Sequence, residues 1–203
     1  MKWFKVLAVL ALFALAVGAA PRVARADEPD YSNPAVVKAL VADLAKSGNN
    51  AALRWSTLSP QGKLAVQNAL TGVKLVRVED GSNAHNVPES TTSCAWRQVG
   101  YEMYSAVGIK LWGYYQRIDW CYNGTVVTSK TRNRSVSVIA PFWSFTKHTG
   151  NLEQGGVNQS YYRAWTQGEF KFCVSSQGCI QYVYPWIDQT VRGNGTATGK
   201  AGQ

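Results

Sequence analysis

The sequence predicts a mainly β protein. The expected form is an antiparallel β-sandwich, with a barrel as the alternative closure, preceded by a short two-helix segment and fastened by two disulfides. Three observations predict it. From Val73 onward, aromatic and β-branched residues come in short runs separated by Gly, Asn and Ser clusters, with no helical pattern between them. All four cysteines, Cys94, Cys121, Cys173 and Cys179, fall in that half. The N-terminus reads as an export signal, which directs those cysteines to a compartment where they oxidise.

Residues 1–26 carry the export pattern. Lys2 and Lys5 precede an apolar run from Val6 to Ala20, and Pro21-Arg22-Val23 breaks it before the small-x-small site Ala24-Arg25-Ala26. The run is shorter than the ~20 residues a spanning helix needs. Cleavage removes four of the 21 lysines and arginines and none of the 12 acids, leaving 17 against 12, or +5. That balance favours an anionic cell wall, membrane surface or acidic polysaccharide. It does not point to nucleic acid, since no dense basic cluster stands out. Lys130, Arg132 and Arg134 are the tightest group; they share one side of a strand and read as a solvated face.

Residues 27–72 are helical in pattern. Ser32-Asn33-Pro34 supplies an N-cap and a first-turn proline, Val37, Leu40, Val41 and Leu44 form one stripe, and Ser47-Gly48 ends the helix. Ser59-Pro60 opens a second helix with Val66, Ala69 and Leu70 as its stripe, ending at Gly72. Two such helices cannot form a core alone, so they are expected to pack on the β domain.

Residues 73–192 form that β domain, with strands expected near 73–79, 93–104, 109–122, 124–131, 134–140, 142–147, 161–166, 169–174, 178–184 and 188–192. Turn signals lie at Asp80-Gly81-Ser82-Asn83, Asn123-Gly124, Gly150-Asn151 and Gly155-Gly156. Residues 193–203 read as a flexible Gly/Thr-rich tail.

Three pairings of the four cysteines are possible. The most local, Cys94 with Cys121 and Cys173 with Cys179, can be tested against hairpin register. Facing Cys94 with Cys121 centres a two-residue turn between Val107 and Gly108. One face then gathers Ala95, Val99, Tyr101, Met103, Trp112, Tyr114, Ile118 and Trp120, broken only by Arg97 and Gln116. The other face is mixed: Trp96, Gln98, Glu102 and Tyr104 with Asp119, Arg117, Tyr115 and Leu111, Leu111 opposite Tyr104 and Tyr115 opposite Gly100, which it is able to cover. For Cys173 and Cys179 the centre falls on Ser176, a loop Ser175-Ser176-Gln177. Phe170, Phe172 and Val174 then share a face with Ile180, Tyr182 and Tyr184.

Little in the sequence supports catalysis. With His85 and His148 the only histidines, there is no metal-ligand spacing, and no G-x-S-x-G elbow exists. The expected disulfides leave no thiol nucleophile. No cofactor or metal is implied. A hydrolase would have to use Asp119, Glu169 or His148. The aromatics are the louder signal: most belong to the core, but Trp96 falls on the mixed face beside Tyr115, Arg117 and Asp119. An aromatic ring flanked by polar groups suits a sugar, whose C–H face stacks while its hydroxyls are bonded. Asn123, Asn133, Asn158 and Asn194 begin N-x-S/T tripeptides, which carry no meaning in a bacterial chain such as the alanine-rich leader suggests.

The stretches Leu111-Trp112-Gly113-Tyr114 through Asp119-Trp120-Cys121-Tyr122-Asn123-Gly124, Gly168-Glu169-Phe170-Lys171-Phe172-Cys173 through Gly178-Cys179-Ile180-Gln181, and Tyr184-Pro185-Trp186-Ile187 resemble uncharacterised secreted proteins of actinobacteria. The resemblance covers about the last 110 residues. It implies export and a β-sandwich, and it brings no activity, ligand or site with it.

The sequence therefore leads to the expectation of a secreted, non-catalytic protein that binds a cell-wall or extracellular polysaccharide through Trp96, Tyr115, Arg117 and Asp119. Two other readings are a membrane-active antimicrobial or toxin, using the positive charge and the 34–46 helix, and a secreted hydrolase.

Overall fold

The computed structural model describes residues 28–81, 92–174 and 178–203. The export signal, His85, the end of the Asp80–Asn83 turn and the Ser175–Gln177 loop lie outside the described residues.

Each predicted helix starts where its cap requires. The Asn33 side chain accepts the Ala35 N–H at the head of α1 (Pro34–Lys46), and the Ser59 side chain accepts the Gly62 N–H at the head of α3 (Pro60–Leu70). A 3-10 turn (Gly48–Asn50) and a third helix, α2 (Ala51–Ser56), join them. Val37, Val41 and Leu44 of α1, Trp55 of α2 and Val66, Ala69 and Leu70 of α3 are buried against Met103, Leu111, Trp112, Ala140 and Trp143. The Trp143 indole N–H donates to the Leu70 carbonyl at 2.8 Å, tying the helical segment to the β domain.

Two antiparallel sheets form the β part, and they do not close into a barrel. One holds β1 (Gly72–Gly81), β2 (Ser93–Ser105), β3 (Lys110–Tyr122) and β4 (Val127–Val138) in that order. The other runs β5 (Trp143–Gly155), β6 (Tyr161–Val174), β8 (Trp186–Arg192), β9 (Ala197–Gly202), with β7 (Gly178–Val183) also paired to β6. β4 and β6 are each one strand where two were expected, and β5 continues through Gly150-Asn151. The loose tail is corrected too: Asn194-Gly195 turns the chain and β9 pairs along β8 from Trp186↔Gly202 to Val191↔Ala197.

The disulfides are Cys94–Cys121 and Cys173–Cys179. Pairing in β2–β3 runs from Ser93↔Tyr122 to Met103↔Trp112 in the predicted register. The turn differs. It has three residues, Ala106-Val107-Gly108, with Gly108 at φ 77, and Leu111 is the compensating extra residue, so Tyr104 faces Lys110 rather than Leu111. In β6–β7 the face assignment is overturned. Ile180 is a bulge, so Phe172 faces Gln181 and Phe170 faces Val183. The slip turns Val183 into the core, at 1 % exposure, and leaves Ile180, Tyr182 and Tyr184 outside.

Between the sheets, Trp112 stacks on Phe170 with centroids 4.1 Å apart, and Trp143 stacks on Phe172. Gln116 and Gln189, both fully buried, bond each other at 2.9 Å. Long side chains lace both open edges. Arg77, Arg97 and Tyr101 donate to the Gly199, Ala197 and Ala201 carbonyls of β9. At the opposite edge Lys130 and Arg132 of β4 reach Glu153 of β5, and Arg132 also donates to Gln116 at 2.7 Å. Lys130, Arg132 and Arg134 pair with Trp120, Ile118 and Gln116 on the core side of β4; Lys130 and Arg132 are partly buried there, not solvated as expected, while Arg134 stays exposed.

Candidate functional site

With the inner faces packed together and the helices seated on core residues at one end, the outer face of the four-stranded sheet carries the predicted residues. Trp96, Tyr115, Arg117 and Asp119 are all half-buried, so Trp96 is not ordinary core. Register brings three of them together. Trp96 faces Asp119, and Arg117 lies two residues before Asp119 on the same side of β3. The Arg117 guanidinium sits 4.2 Å from the Trp96 ring centroid and grips the Asp119 carboxylate with contacts of 2.6, 3.0 and 3.1 Å. Those hydrogen bonds hold the Arg117 pKa above its ordinary value. A shallow cleft of about 290 Å³ opens beside them, lined by Trp96, Asp119, Ser129, Thr131 and the Cys94–Cys121 disulfide.

Tyr115 belongs to the next group along the face. A Cβ on Gly100 would lie 2.4 Å from its ring, and one on Gly113 would lie 2.3 Å from its hydroxyl oxygen, so Tyr115 lies flat across both glycines. Its hydroxyl donates to Glu102 at 2.6 Å, as does that of Tyr104, and Lys110 completes the group with an ion pair to Glu102. Burial pushes the Glu102 carboxyl up, but hydrogen bonds from Lys110, Tyr104 and Tyr115 outweigh it and hold the pKa at about 2. The same carboxylate, after burial, raises Tyr115 above the ordinary phenol range.

The outward residues of β4 add a polar border. Ser129, Thr131, Asn133, Ser135 and Ser137 stand opposite Cys121, Asp119, Arg117, Tyr115 and Gly113. Successive members are about 6.6 Å apart by strand geometry. The sequence places Glu102 and Tyr104 on this face without giving them a role in binding, and it does not point to Lys110 or to this border. Extending the β2–β3 alternation to β4 would have found it.

The three candidate acid–base groups do not meet. Asp119 lies on this outer face. Glu169 lies on the outer side of β6 opposite Lys147. His148 points between the sheets, where its Nδ1 is 2.9 Å from the Tyr114 hydroxyl. Burial, then the charges of Arg134 and Arg132, lower the His148 pKa. Among the described residues no three His, Cys, Asp or Glu side chains converge as a metal site requires. No helix of the described residues is long and apolar enough to cross a membrane, and the two disulfides fit an oxidising compartment.

Compared with known proteins, the chain matches no family profile, no curated protein and no solved structure.

Proposed function

We propose that this is an exported, non-catalytic protein that binds a cell-wall or extracellular polysaccharide through the outer face of its four-stranded sheet. The observation that carries the reading is Tyr115 laid flat over Gly100 and Gly113, next along β3 from the Trp96–Arg117–Asp119 group, with the polar border of β4 flanking both. A ring pressed on glycine turns its other face away from the sheet, where the C–H face of a sugar can stack. Arg117 lies 4.2 Å from the Trp96 ring centroid whereas Lys110 Nζ lies 5.9 Å from that of Tyr115, so Tyr115 is the more open stacking ring. Arg117, Asp119, Ser129 and Thr131 are the hydroxyl partners.

The membrane-active reading has less support. The apolar stripe of α1 is already spent on the core, so inserting it into a bilayer would require undocking Val37, Val41 and Leu44.

The test is co-sedimentation of the exported protein with peptidoglycan, chitin, cellulose and anionic vesicles at low and high salt. Pelleting with a polysaccharide that survives high salt, and that Tyr115→Ala or Trp96→Ala weakens in protein that still folds, supports the proposal. Pelleting with vesicles alone, or binding lost in salt, contradicts it.

A further inference from the structure

The outer face of the five-stranded sheet holds a second pair of rings seated on glycine. A Cβ on Gly150 would lie 2.2 Å from the six-membered ring of Trp165, and one on Gly202 would lie 2.5 Å from that of Trp186. Each indole therefore lies flat on a neighbouring strand with one side against backbone. The two glycines are the ends of one row: Gly150 pairs with Gln167, Gln167 with Trp186, and Trp186 with Gly202. Three inter-strand spacings separate them, about 14 Å. The next row places Asp188 beside Trp165 and Lys200 beyond it, and the Arg163 side chain reaches Asp188 with contacts of 2.6 and 2.9 Å. A cleft of about 240 Å³ runs between Arg163, Asp188, Thr190, Thr198 and Lys200. Basic groups outnumber acids on this face: Lys147, Arg163, Lys171, Arg192 and Lys200 against Glu169 and Asp188.

We propose that this face is a second glycan site, which takes an acidic polysaccharide chain running across the strands from β5 to β9, with Trp165 and Trp186 as stacking platforms. The ring separation suits a chain of several sugars and not a monosaccharide. Gln167 lies between the platforms, and Lys200, with the Arg163–Asp188 pair, lines the side where carboxylates of the chain are met. The site shares its ligand class with the four-stranded face but none of its residues, so either can fail without the other.

The test is calorimetric titration of the exported protein with polygalacturonate, which carries carboxylates, and with hydroxyethylcellulose, which is neutral. Polygalacturonate is expected to bind more tightly. Trp165→Ala and Trp186→Ala are expected to weaken it by about tenfold each, a loss of one stacking contact. Trp165→Phe and Trp186→Tyr keep a ring and recover most of the affinity, and Lys200→Glu weakens binding. Absence of polygalacturonate binding, equal binding of the neutral polymer, or folded alanine variants that bind like the wild type would overturn the proposal. If the alanine variants do not fold, Lys200→Glu decides, since unchanged affinity in that variant overturns the site as well.

Discussion

The β2–β3 and β6–β7 hairpins are each closed by one cross-strand disulfide, yet the two disulfides govern very different lengths of strand. Cys94–Cys121 lies far from its turn, and pairing continues without a slip from it to Met103↔Trp112. The one irregularity comes beyond that point, beside the turn, so every side chain between keeps its face. Cys173–Cys179 lies next to its turn, and the bulge at Ile180 comes at once. Everything past it on β7 is turned over. A disulfide fixes one pair of residues; the faces beyond it depend on whether the ladder stays regular.

The sharpest way to break this comparison is a charge at the two neighbouring positions of β7. Val183→Asp buries an unpaired carboxylate and is expected to cost more than about 4 kcal/mol or prevent folding. Tyr182→Asp, at a position 51 % exposed, should stay within about 0.5 kcal/mol. Urea unfolding of both variants reads the difference, and reversed sensitivities would restore the unbulged register. Next in size are the disulfides. Their sequence separations are 27 and 6, and on the chain-entropy account the longer loop contributes about 3.5 kcal/mol and the shorter about 2. Paired Cys→Ala variants at each bridge, melted side by side, should rank in that order.

Gly100→Ala probes the first hairpin from its outer side. The new methyl meets the Tyr115 ring at 2.4 Å and the Tyr114 carbonyl at 2.6 Å. The expected loss is about 1–3 kcal/mol by thermal melting, because backbone cannot yield as a side chain does. A neutral Gly100→Ala would mean that Tyr115 does not lie on the strand. The smallest effect is acid sensitivity. Glu102 titrates near 2 in the folded chain against its ordinary 4.5. A depressed carboxylate contributes stability that is complete above about 4.5 and is lost as pH falls toward about 2. Glu102→Gln should flatten the denaturation midpoint across that window, and an unchanged slope would remove Glu102 from the account.

The same contrast between hairpins explains how much was legible in the sequence. Helix starts at Asn33 and Ser59 could be read because caps are local chemistry. The β2–β3 faces could be read because a cysteine pair and a long alternation agree, and Tyr115 over Gly100 came with that register. The Ile180 bulge could not be read, since nothing in Gly178-Cys179-Ile180-Gln181 distinguishes a regular strand from a slipped one. α2 is six residues long, too short for periodicity to show. β9 looked like a tail because Gly and Thr dominate it, and its pairing depends on β8. Lys130 and Arg132 looked solvated because their partner, Glu153, lies on the other sheet. Trp165 and Trp186 were hidden among core aromatics, although Trp165 alternates with Tyr162, Ala164 and Thr166, all buried, and that alternation already puts it outside.

The central claim is that the outward aromatic faces, and not the core or the helices, contact a glycan. The most direct test is an NMR titration of the isotope-labelled protein with oligogalacturonates and chito-oligosaccharides, tracking the tryptophan indole N–H signals. The account predicts that Trp96, Trp165 and Trp186 shift while the buried Trp55, Trp112, Trp120 and Trp143 stay in place. Shifts confined to the buried indoles, or no shift with any oligosaccharide, would contradict it.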